Sequence, residues 1–165
     1  MAKSKAGLSA PGRYRDEKHG FSLPRLNHFD YEPAKSPIKP ATPLVTVGIA
    51  AKKLELVVLS GAPLSPQMQE AATEKLAASA AKALRDGRAS GTKPVVRPDK
   101  RASFRAAYAG KKHRGFVVSV AGERRTFLVV SAFPTSEPTP EVEDLVFIQL
   151  SLAVEATAPK RPRSR

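Results

Sequence analysis

Apolar side chains alternate with other residues in two neighbouring segments of the N-terminal half. Residues 44–50 read L-V-T-V-G-I-A, and residues 54–59 read L-E-L-V-V-L. A period of two places the apolar side chains on one face of a strand. The two segments therefore predict a β-hairpin, which ends at Gly61.

Helical periodicity follows the hairpin. Ser65 is a residue type that caps helices, and Pro66 at the first helical position loses no hydrogen bond. Gly87 is a typical C-terminal stop. The pattern predicts a helix over residues 66–86, with an apolar stripe at spacings of three and four that consists of Met68, Ala72, Leu76, Ala80, Ala83 and Leu84.

The second half of the chain is rich in β-like segments. They cover residues 94–96, 102–109, 115–121 and 124–133, and the last two flank Gly122-Glu123 as in a hairpin. A short helix passing into a short strand is predicted after them, and another short strand is predicted early in the chain, at Phe21. Strands broken by one long helix indicate an α+β fold: an antiparallel sheet of about five to seven strands packed by the long helix and a short C-terminal helix.

The distribution of charge and of proline predicts how the chain is divided into a domain and two terminal segments. Residues 1–18 are polar and basic and predict a flexible arm. Residues 19–157 are predicted to form a single α+β domain, in which four prolines give residues 31–43 an extended conformation. Residues 158–165 form a basic tail.

Three stretches carry a resemblance to a known family. Residues 14–24 read Y-R-D-E-K-H-G-F-S-L-P, residues 102–133 contain R-G-F-V-V-S-V-A-G-E-R-R-T-F-L-V-V-S-A, and Ser151-Leu152 follows the terminal helix. They resemble the PsbP-like superfamily, which includes the thylakoid-lumen PsbP proteins, a Ran-binding nuclear-transport factor and chaperones of type VI secretion effectors. The resemblance implies an αβα sandwich that serves as a non-catalytic binding scaffold, and it supplies no active-site residues.

The composition argues against several classes of protein. The chain has no cysteine, which excludes disulfides, thiolate metal sites and thiol nucleophiles. No window approaches the length of apolar sequence that a transmembrane helix needs. The first residues are not followed by the apolar stretch of a secretory signal. These features predict an intracellular, cytoplasmic protein.

Positive charge is concentrated in one part of the chain. The formal net charge is +13, and residues 85–114 hold 10 basic and 2 acidic side chains. Such asymmetry favours a polyanionic partner, because anion contacts need charge but little geometry. Phe104 and Tyr108 lie in the same stretch and could stack on bases, but residues four apart in a strand share a face and are expected in the core. The predicted anion-binding residues are Arg88, Lys93, Arg97, Lys100, Arg101, Arg105, Lys111, Lys112, Arg114, Lys160, Arg161, Arg163 and Arg165.

No group of residues has the spacing of an active site. His19 and His28 flank a proline and His113 lies among lysines and arginines, whereas a metal site needs three or four convergent ligands. Glu137 and Glu141 lie near a predicted helix N-terminus, where the helix dipole accounts for them. No serine has a neighbouring base, and no phosphate-binding glycine-rich loop follows a strand. We expect neither enzymatic activity nor a cofactor or metal.

These features predict a non-catalytic accessory or adaptor subunit of a larger assembly, which binds protein and holds an anionic surface through its basic arms. A nucleic-acid- or ribosome-binding protein is one alternative, and a steep loss of affinity with salt would distinguish it. A chaperone for hydrophobic secretion-effector segments is another, and it requires an exposed apolar sheet face. The sequence indicates no small-molecule substrate.

Overall fold

The strands and helices follow the periodicity of the sequence. The computed structural model describes residues 12–33, 42–135 and 139–155. The first half of the described chain contains β1 (Arg13–Asp16), β2 (Phe21–Pro24), β3 (Asp30–Pro33), β4 (Thr42–Ile49), β5 (Leu54–Gly61) and α1 (Pro66–Lys82). The second half contains β6 (Arg88–Ala89), β7 (Lys93–Pro94), β8 (Ser103–Ala109), β9 (His113–Ala121), β10 (Thr126–Pro134), α2 (Pro140–Leu150) and β11 (Ala153–Val154).

The strands form two antiparallel sheets. The large sheet has the order β3-β4-β5-β10-β9-β8-β6, and β7 also pairs with β8. The small sheet has the order β1-β2-β11. A mostly antiparallel sheet with one long helix and one short C-terminal helix is the α+β class that the sequence predicts, and the prediction is confirmed. The strands outnumber the predicted five to seven, because the large sheet has eight and a second sheet has three.

Each face of the large sheet carries its own core. On one face, α2 packs on β10 and β5 of the large sheet and on β2 of the small sheet, and the main core there includes the fully buried Phe21, Phe127 and Leu145. On the other face, α1 packs on β8, β9 and β6 over a smaller core that includes Ala77 and Ala81. Each helix therefore lies over only part of the large sheet.

Both predicted hairpins are present. Strands β4 and β5 are joined through a short 3-10 helix, Ala50–Lys52, and Lys53, which has φ 60. Strands β9 and β10 are joined by a turn in which the N–H of Gly122 donates to the carbonyl of Arg125 over 2.8 Å. The turn thus takes in four residues, where the sequence suggested two.

Helix α1 begins at the predicted residue but ends earlier. The Ser65 hydroxyl accepts a hydrogen bond from the N–H of Met68 over 3.2 Å, as an N-cap does. The helix ends at Lys82 instead of residue 86, because Asp86 has φ 55 and Gly87 lies so close to the Ala81 carbonyl that a Cβ would overlap it. The chain has already turned back onto the helix at that point.

The buried side of α1 is centred one residue away from the predicted apolar stripe, although Leu76, Ala80 and Leu84 of that stripe are partly buried against the smaller core. Its buried side chains are Gln69, Thr73, Ala77 and Ala81, whereas Met68 is 60% exposed. The two polar members have local partners: Gln69 Nε2 donates to Ser119 Oγ over 3.0 Å, and Thr73 Oγ1 donates to the Gln69 carbonyl over 2.8 Å. A count of apolar residues misses this face because half of it is polar and hydrogen-bonded.

Segments predicted to be irregular contain strands. Arg13–Asp16, which the sequence placed in the flexible arm, forms β1, because Arg13 Nε donates to Ser22 Oγ over 2.9 Å and Arg15 pairs with Glu155. Residues 88–89, which lie outside the segments predicted to be strands, form β6. The predicted extended segment 31–43 begins in β3 and ends in β4; its residues 34–41 and the tail 158–165 lie outside the described residues.

Side chains from both faces complete the hydrogen bonds of the central strands. The N–H of Phe116 donates to Ser131 Oγ over 3.1 Å, and its carbonyl accepts from Gln149 Nε2 of α2 over 3.0 Å. From the other face, the Tyr108 hydroxyl donates to the Ser131 carbonyl over 2.7 Å. Gly115 lies beside this contact, where a Cβ would overlap the same carbonyl oxygen. The two layers are therefore joined through the sheet by polar contacts as well as by packing.

Candidate binding surface

The part of the sheet face that α2 leaves open is basic. The strands β6, β7 and β8 lie at the sheet edge, beyond the strands on which α2 packs. We use the name basic half-face for the cations that point to the α2 side of this edge, which are Arg88, Lys93, Arg105 and Arg114.

Strand register places these four cations on one side of the sheet. Directly opposed residues point to the same side, and the opposed residues form two rows: Arg88, Ala109 and Arg114 in one, and Lys93, Arg105 and Val118 in the other. Val118 belongs to the main core beneath α2. All members of both rows therefore point to the α2 side.

None of these four cations has a counter-ion among the described residues. Arg88, Lys93 and Arg105 are exposed, and none has a carboxylate at ion-pair distance among the described residues. Arg114 is half-buried, with its guanidinium 5.1 Å from the centroid of the Phe133 ring. Like charges without counter-ions raise the local potential and attract an anion.

The other predicted cations lie around this surface. Lys111 and Lys112 are exposed in the turn between β8 and β9, next to Arg114. Lys100 is exposed at the other end of β8, and Arg101 there donates to the Ala121 carbonyl over 3.3 Å. The four predicted cations of the tail lie outside the described residues: Lys160, Arg161, Arg163 and Arg165.

Arg97 is used inside the fold. Its Nε and Nη2 donate to the two carboxylate oxygens of Asp99 over 2.9 and 2.7 Å, and Nη2 also donates to the Leu152 carbonyl over 3.0 Å. Only 9% of its side chain is exposed. Arg97 therefore attaches the loop between β7 and β8 to the chain that leaves α2, and its charge is already balanced by Asp99.

The pH dependence of the free energy of unfolding should show the contribution of the ion pair between Arg97 and Asp99. The hydrogen bonds from Arg97 lower the pKa of Asp99 from 3.8 to about 2. A carboxyl whose pKa is lower in the folded state stabilises the fold above its unfolded pKa, and this contribution is lost as the pH falls from about 4 to about 2. Asp99→Asn should lower the free energy of unfolding at pH 6 by about 1 kcal/mol or less, because solvent screens this partly exposed pair.

Urea denaturation at pH 6 and at pH 2, followed by circular dichroism, measures the free energy of unfolding of Asp99→Asn and of the wild type. The difference between the two proteins should be smaller at pH 2 than at pH 6. The control is Glu123→Gln, which removes an exposed carboxylate that has no ion-pair partner in the described residues. If Asp99→Asn lowers the free energy of unfolding equally at both pH values, the ion pair between Arg97 and Asp99 is not the source of the lost stability.

Phe104 and Tyr108 point away from the basic half-face. They are opposed to Ser119 and Gly115, and Tyr108 is buried in the core beneath α1. Burial, with a smaller effect of the Glu55 charge, raises the pKa of Tyr108 to about 12. The expectation that these aromatic side chains belong to the core is confirmed for Tyr108. Stacking of bases on either ring beside the cations is not possible, since the sheet separates them.

The sequence missed three exposed apolar side chains, two on α2 and one on the loop between β7 and β8. Val96, Phe147 and Leu150 are 96%, 53% and 39% exposed. Phe147 and Leu150 share the outer side of α2, and Val96 precedes Arg97 in the attached loop. Helical spacing could have indicated that Phe147 lies opposite the buried Leu145 and Ile148, but nothing local to Val96 predicts its position.

The face that carries α1 also has an open part, which is acidic. A groove of ≈ 480 Å³ there is lined by three carboxylates, Asp30, Glu32 and Glu55, and by one lysine, Lys53, over a floor that includes Gly48. Within the described ranges, no three histidine or carboxylate side chains are grouped as a metal site would require. The two open parts of the sheet thus differ in sign of charge.

The predicted histidines are dispersed. His19 Nδ1 lies 2.9 Å from Asp16, and His28 Nε2 lies 3.0 Å from Asp144. His113 lines the acidic groove. The three are not brought together at one site.

The architecture is similar to solved structures with a PsbP-like fold. Cyanobacterial PsbP (CyanoP) from Synechocystis sp. PCC 6803 superposes with a TM-score of 0.63 at 12% identity, over 92% of this chain and 98% of that one. LpqN, involved in cell envelope biogenesis of Mycobacterium tuberculosis, superposes with a TM-score of 0.54 at 11% identity, over 90% and 87%. No family model and no curated protein sequence matches the chain. The chain has a PsbP-like fold, as the sequence motifs suggested.

The expectation of a cytoplasmic protein is wrong. The finding that overturns it is the similarity to LpqN, a protein involved in cell envelope biogenesis. The expectation came from features that the sequence lacks, and such absences hold no positive information about a compartment. No helix in the described ranges is long and apolar enough to cross a bilayer.

Proposed function

We propose that this protein is a non-catalytic accessory protein that binds an anionic macromolecular surface through the basic half-face. The observation that carries the proposal is the juxtaposition of Arg88, Lys93 and Arg105 on one open part of the sheet, without carboxylate partners among the described residues. An accessory role is also what the PsbP-like neighbours suggest.

The geometry supports the two alternatives less well. A nucleic-acid-binding surface would gain from aromatic stacking, yet Phe104 and Tyr108 lie on the other side of β8. A chaperone for hydrophobic segments needs an apolar open face, and the open face opposite the basic half-face carries Asp30, Glu32 and Glu55. Charge attraction on the basic half-face remains the best-supported mode of binding.

Charge reversal tests this function. The triple variant Arg88→Glu, Lys93→Glu, Arg105→Glu should weaken binding of labelled poly-L-glutamate at least about tenfold at about 50 mM salt, because exposed charges act most strongly at low ionic strength. Fluorescence anisotropy measures the dissociation constant. The matched control reverses the exposed Lys18, Lys75 and Lys82, which changes the net charge equally but leaves the basic half-face intact.

Three results would contradict the proposal. An equal loss in the control would mean that net charge alone drives binding. Absence of poly-L-glutamate binding by the wild type at low salt would remove the proposed function. Tighter binding of an RNA oligonucleotide than of poly-L-glutamate, with a steep loss between about 50 and 200 mM salt, would replace it with the nucleic-acid alternative.

A further inference from the structure

Arg114 has no partner for its charge among the described residues. Its guanidinium lies 5.1 Å from the centroid of the Phe133 ring, its Nε is buried without a hydrogen-bond acceptor, and no described carboxylate is at ion-pair distance. A buried donor without an acceptor costs free energy. The two Nη groups are not among the buried atoms. Arg114 is therefore held against the ring in a position from which it can donate to an external anion.

Strand register sets Arg88 near Arg114. Both residues are directly opposed to Ala109, one from β6 and the other from β9, so the three residues lie in one row across the sheet. Neighbouring strands are about 4.8 Å apart, which separates the backbones of the two arginines by about 10 Å. Ala109 is exposed and has a small side chain, so it leaves space between the two longer ones. Two arginine side chains at this spacing can donate to one group above Ala109.

The turn between β8 and β9 adds two lysines at the same end of the sheet. Lys111 and Lys112 precede Arg114 by three and two residues, and both are exposed. The N–H of Lys111 donates to the Arg85 carbonyl over 3.1 Å, and the Lys112 carbonyl accepts from the N–H of Thr135 over 2.9 Å. These hydrogen bonds fix the turn to the chain after α1 on one side and to the end of β10 on the other. We use the name cation cluster for Arg88, Lys111, Lys112 and Arg114.

Carboxylates on the neighbouring elements do not pair with the cation cluster. Asp86, two residues before Arg88, and Glu143, in the first turn of α2, are exposed and have no ion-pair partner in the described ranges. Glu55 lies on the opposite face, in the groove that His113 also lines. The cation cluster therefore retains an excess of positive charge, which attracts an anion.

The number of cations favours a phosphate monoester over a carboxylate. At neutral pH a phosphate monoester has a charge of about −1.5 to −2 and three acceptor oxygens. A carboxylate has one charge and two oxygens. The Nη groups of one arginine donate in parallel to two oxygens of a phosphate, so the third oxygen stays available to the second arginine or to a lysine of the turn. A monoester can therefore use the whole cation cluster, whereas a carboxylate uses part of it.

The surroundings of the cation cluster favour a protein as the source of the phosphate. Within the described ranges, none of the exposed large apolar side chains lies on β6, on β9 or in the turn before β9. Attachment to lipid headgroups gains from apolar side chains that enter the bilayer. The next row of the basic half-face instead offers Lys93 and Arg105, which suit the acidic side chains of a protein segment.

We propose that the cation cluster binds one phosphate monoester group, carried by a phosphorylated side chain of a protein partner. The phosphate lies above Ala109 and accepts hydrogen bonds from Arg88 and Arg114, while the lysines of the turn add charge. The next row of the basic half-face is left for acidic side chains of the same partner. This inference rests on the proposed function, since it names the group that anchors the anionic partner.

Titration with a phosphopeptide, followed by two-dimensional NMR of the full chain, tests the site. A short peptide with phosphoserine flanked by glycines should bind at low salt with a dissociation constant of about 1 mM or lower. It should bind about fivefold or more tightly than the same peptide with glutamate in place of phosphoserine, because more donors are used. The amide signals of residues 109–114 should shift. Equal affinities for the two peptides would overturn the proposal.

Replacement of Arg114 tests its paired donors. Arg114→Lys keeps the charge but removes the parallel pair of N–H groups, so it should weaken phosphopeptide binding about fivefold or more and abolish the preference over the glutamate peptide. Arg124→Lys is the matched control, because Arg124 is exposed in the turn at the opposite end of β9. It should leave both affinities unchanged, and circular dichroism should show that both variants are folded. Equal affinities for the phosphopeptide in the two variants would contradict the assignment of Arg114.

Substitution of Ala109 tests the position of the phosphate and leaves every cation in place. Ala109→Glu puts a carboxylate between the two arginines and should weaken phosphopeptide binding about tenfold or more, since it competes for the same donors. Ala109→Gln has nearly the same size without the charge and should retain most of the affinity. Residue 109 is exposed, so both variants should fold. If both variants bind the phosphopeptide equally, the phosphate does not lie above residue 109 and the proposal fails.

Two further measurements identify other sources of the anion. Glu137 lies outside the described residues, and Glu137→Gln should change the phosphopeptide affinity by no more than about twofold. An increase of about tenfold would mean that a carboxylate of this chain occupies the cation cluster. Sedimentation with phosphatidic acid vesicles should not distinguish Arg114→Lys from Arg124→Lys. If only Arg114→Lys loses vesicle binding, the phosphate belongs to a lipid, and either of these results would overturn the proposal.

The remaining outcomes separate this inference from the proposed function. If poly-L-glutamate binds as expected but the phosphopeptide binds no more tightly than the glutamate peptide, the phosphate site fails and the proposed function stands. If the phosphopeptide binds as expected but the wild type does not bind poly-L-glutamate, the proposed function fails and the phosphate site stands. If neither probe is bound at low salt, both proposals fail.

Discussion

Gly115→Ala should destabilise this protein by about 3 kcal/mol or more, because there is no room for a methyl group at that position. The Cβ would overlap the Ser131 carbonyl oxygen and lie 2.6 Å from the Tyr108 hydroxyl. Both neighbours are held by the same hydrogen bond, of 2.7 Å, so neither can withdraw without losing it. Relief would require β9 and β10 to separate in the middle of the large sheet.

Urea denaturation followed by circular dichroism measures this loss as a shift of the midpoint at an unchanged slope. Gly91→Ala is the matched control, since it adds the same methyl group where nothing lies within 4 Å. The control should be neutral or stabilise the protein by up to about 1 kcal/mol, through lower entropy of the unfolded chain. Similar midpoints for Gly115→Ala and Gly91→Ala would mean that the central strands are not packed as described.

Leu145→Ala should destabilise the protein by about 2–5 kcal/mol, because it leaves a cavity between α2 and the large sheet. The side chain is fully buried in the main core with Phe127 and Ile148. Loss of packing there also loosens the chain that follows α2, to which Arg13 and Arg97 donate hydrogen bonds. The loss of stability should therefore extend to the small sheet, whose strand β11 follows α2.

Phe147→Ala, two residues further along the same helix, serves as its control. The Phe147 side chain is 53% exposed, so its removal should change the free energy of unfolding by no more than about 0.5 kcal/mol. The pair separates the buried side of α2, which stabilises the fold, from its exposed side. A large loss of stability in Phe147→Ala would place that side chain in the core.

The sequence predicted the positive charge of the binding surface. Arg88, Lys93 and Arg105 were among the predicted cations because local composition alone reveals them. Arg97 was predicted with them on the same grounds, yet it is paired with Asp99 inside the fold. Composition counts charges but does not show which of them already have partners.

The sequence by itself determined the α+β class, the two hairpins and the start of α1 at Ser65, because periodicity and capping depend on residues close together in the chain. Only the tertiary structure decided that Arg105 and Tyr108 point to opposite sides of β8 into different surroundings. It also attached the loop that contains Val96 to the chain after α2, through the hydrogen bond from Arg97 to the Leu152 carbonyl. Such relations depend on strand register and on which helix covers which part of the sheet, and neither is encoded in a local pattern.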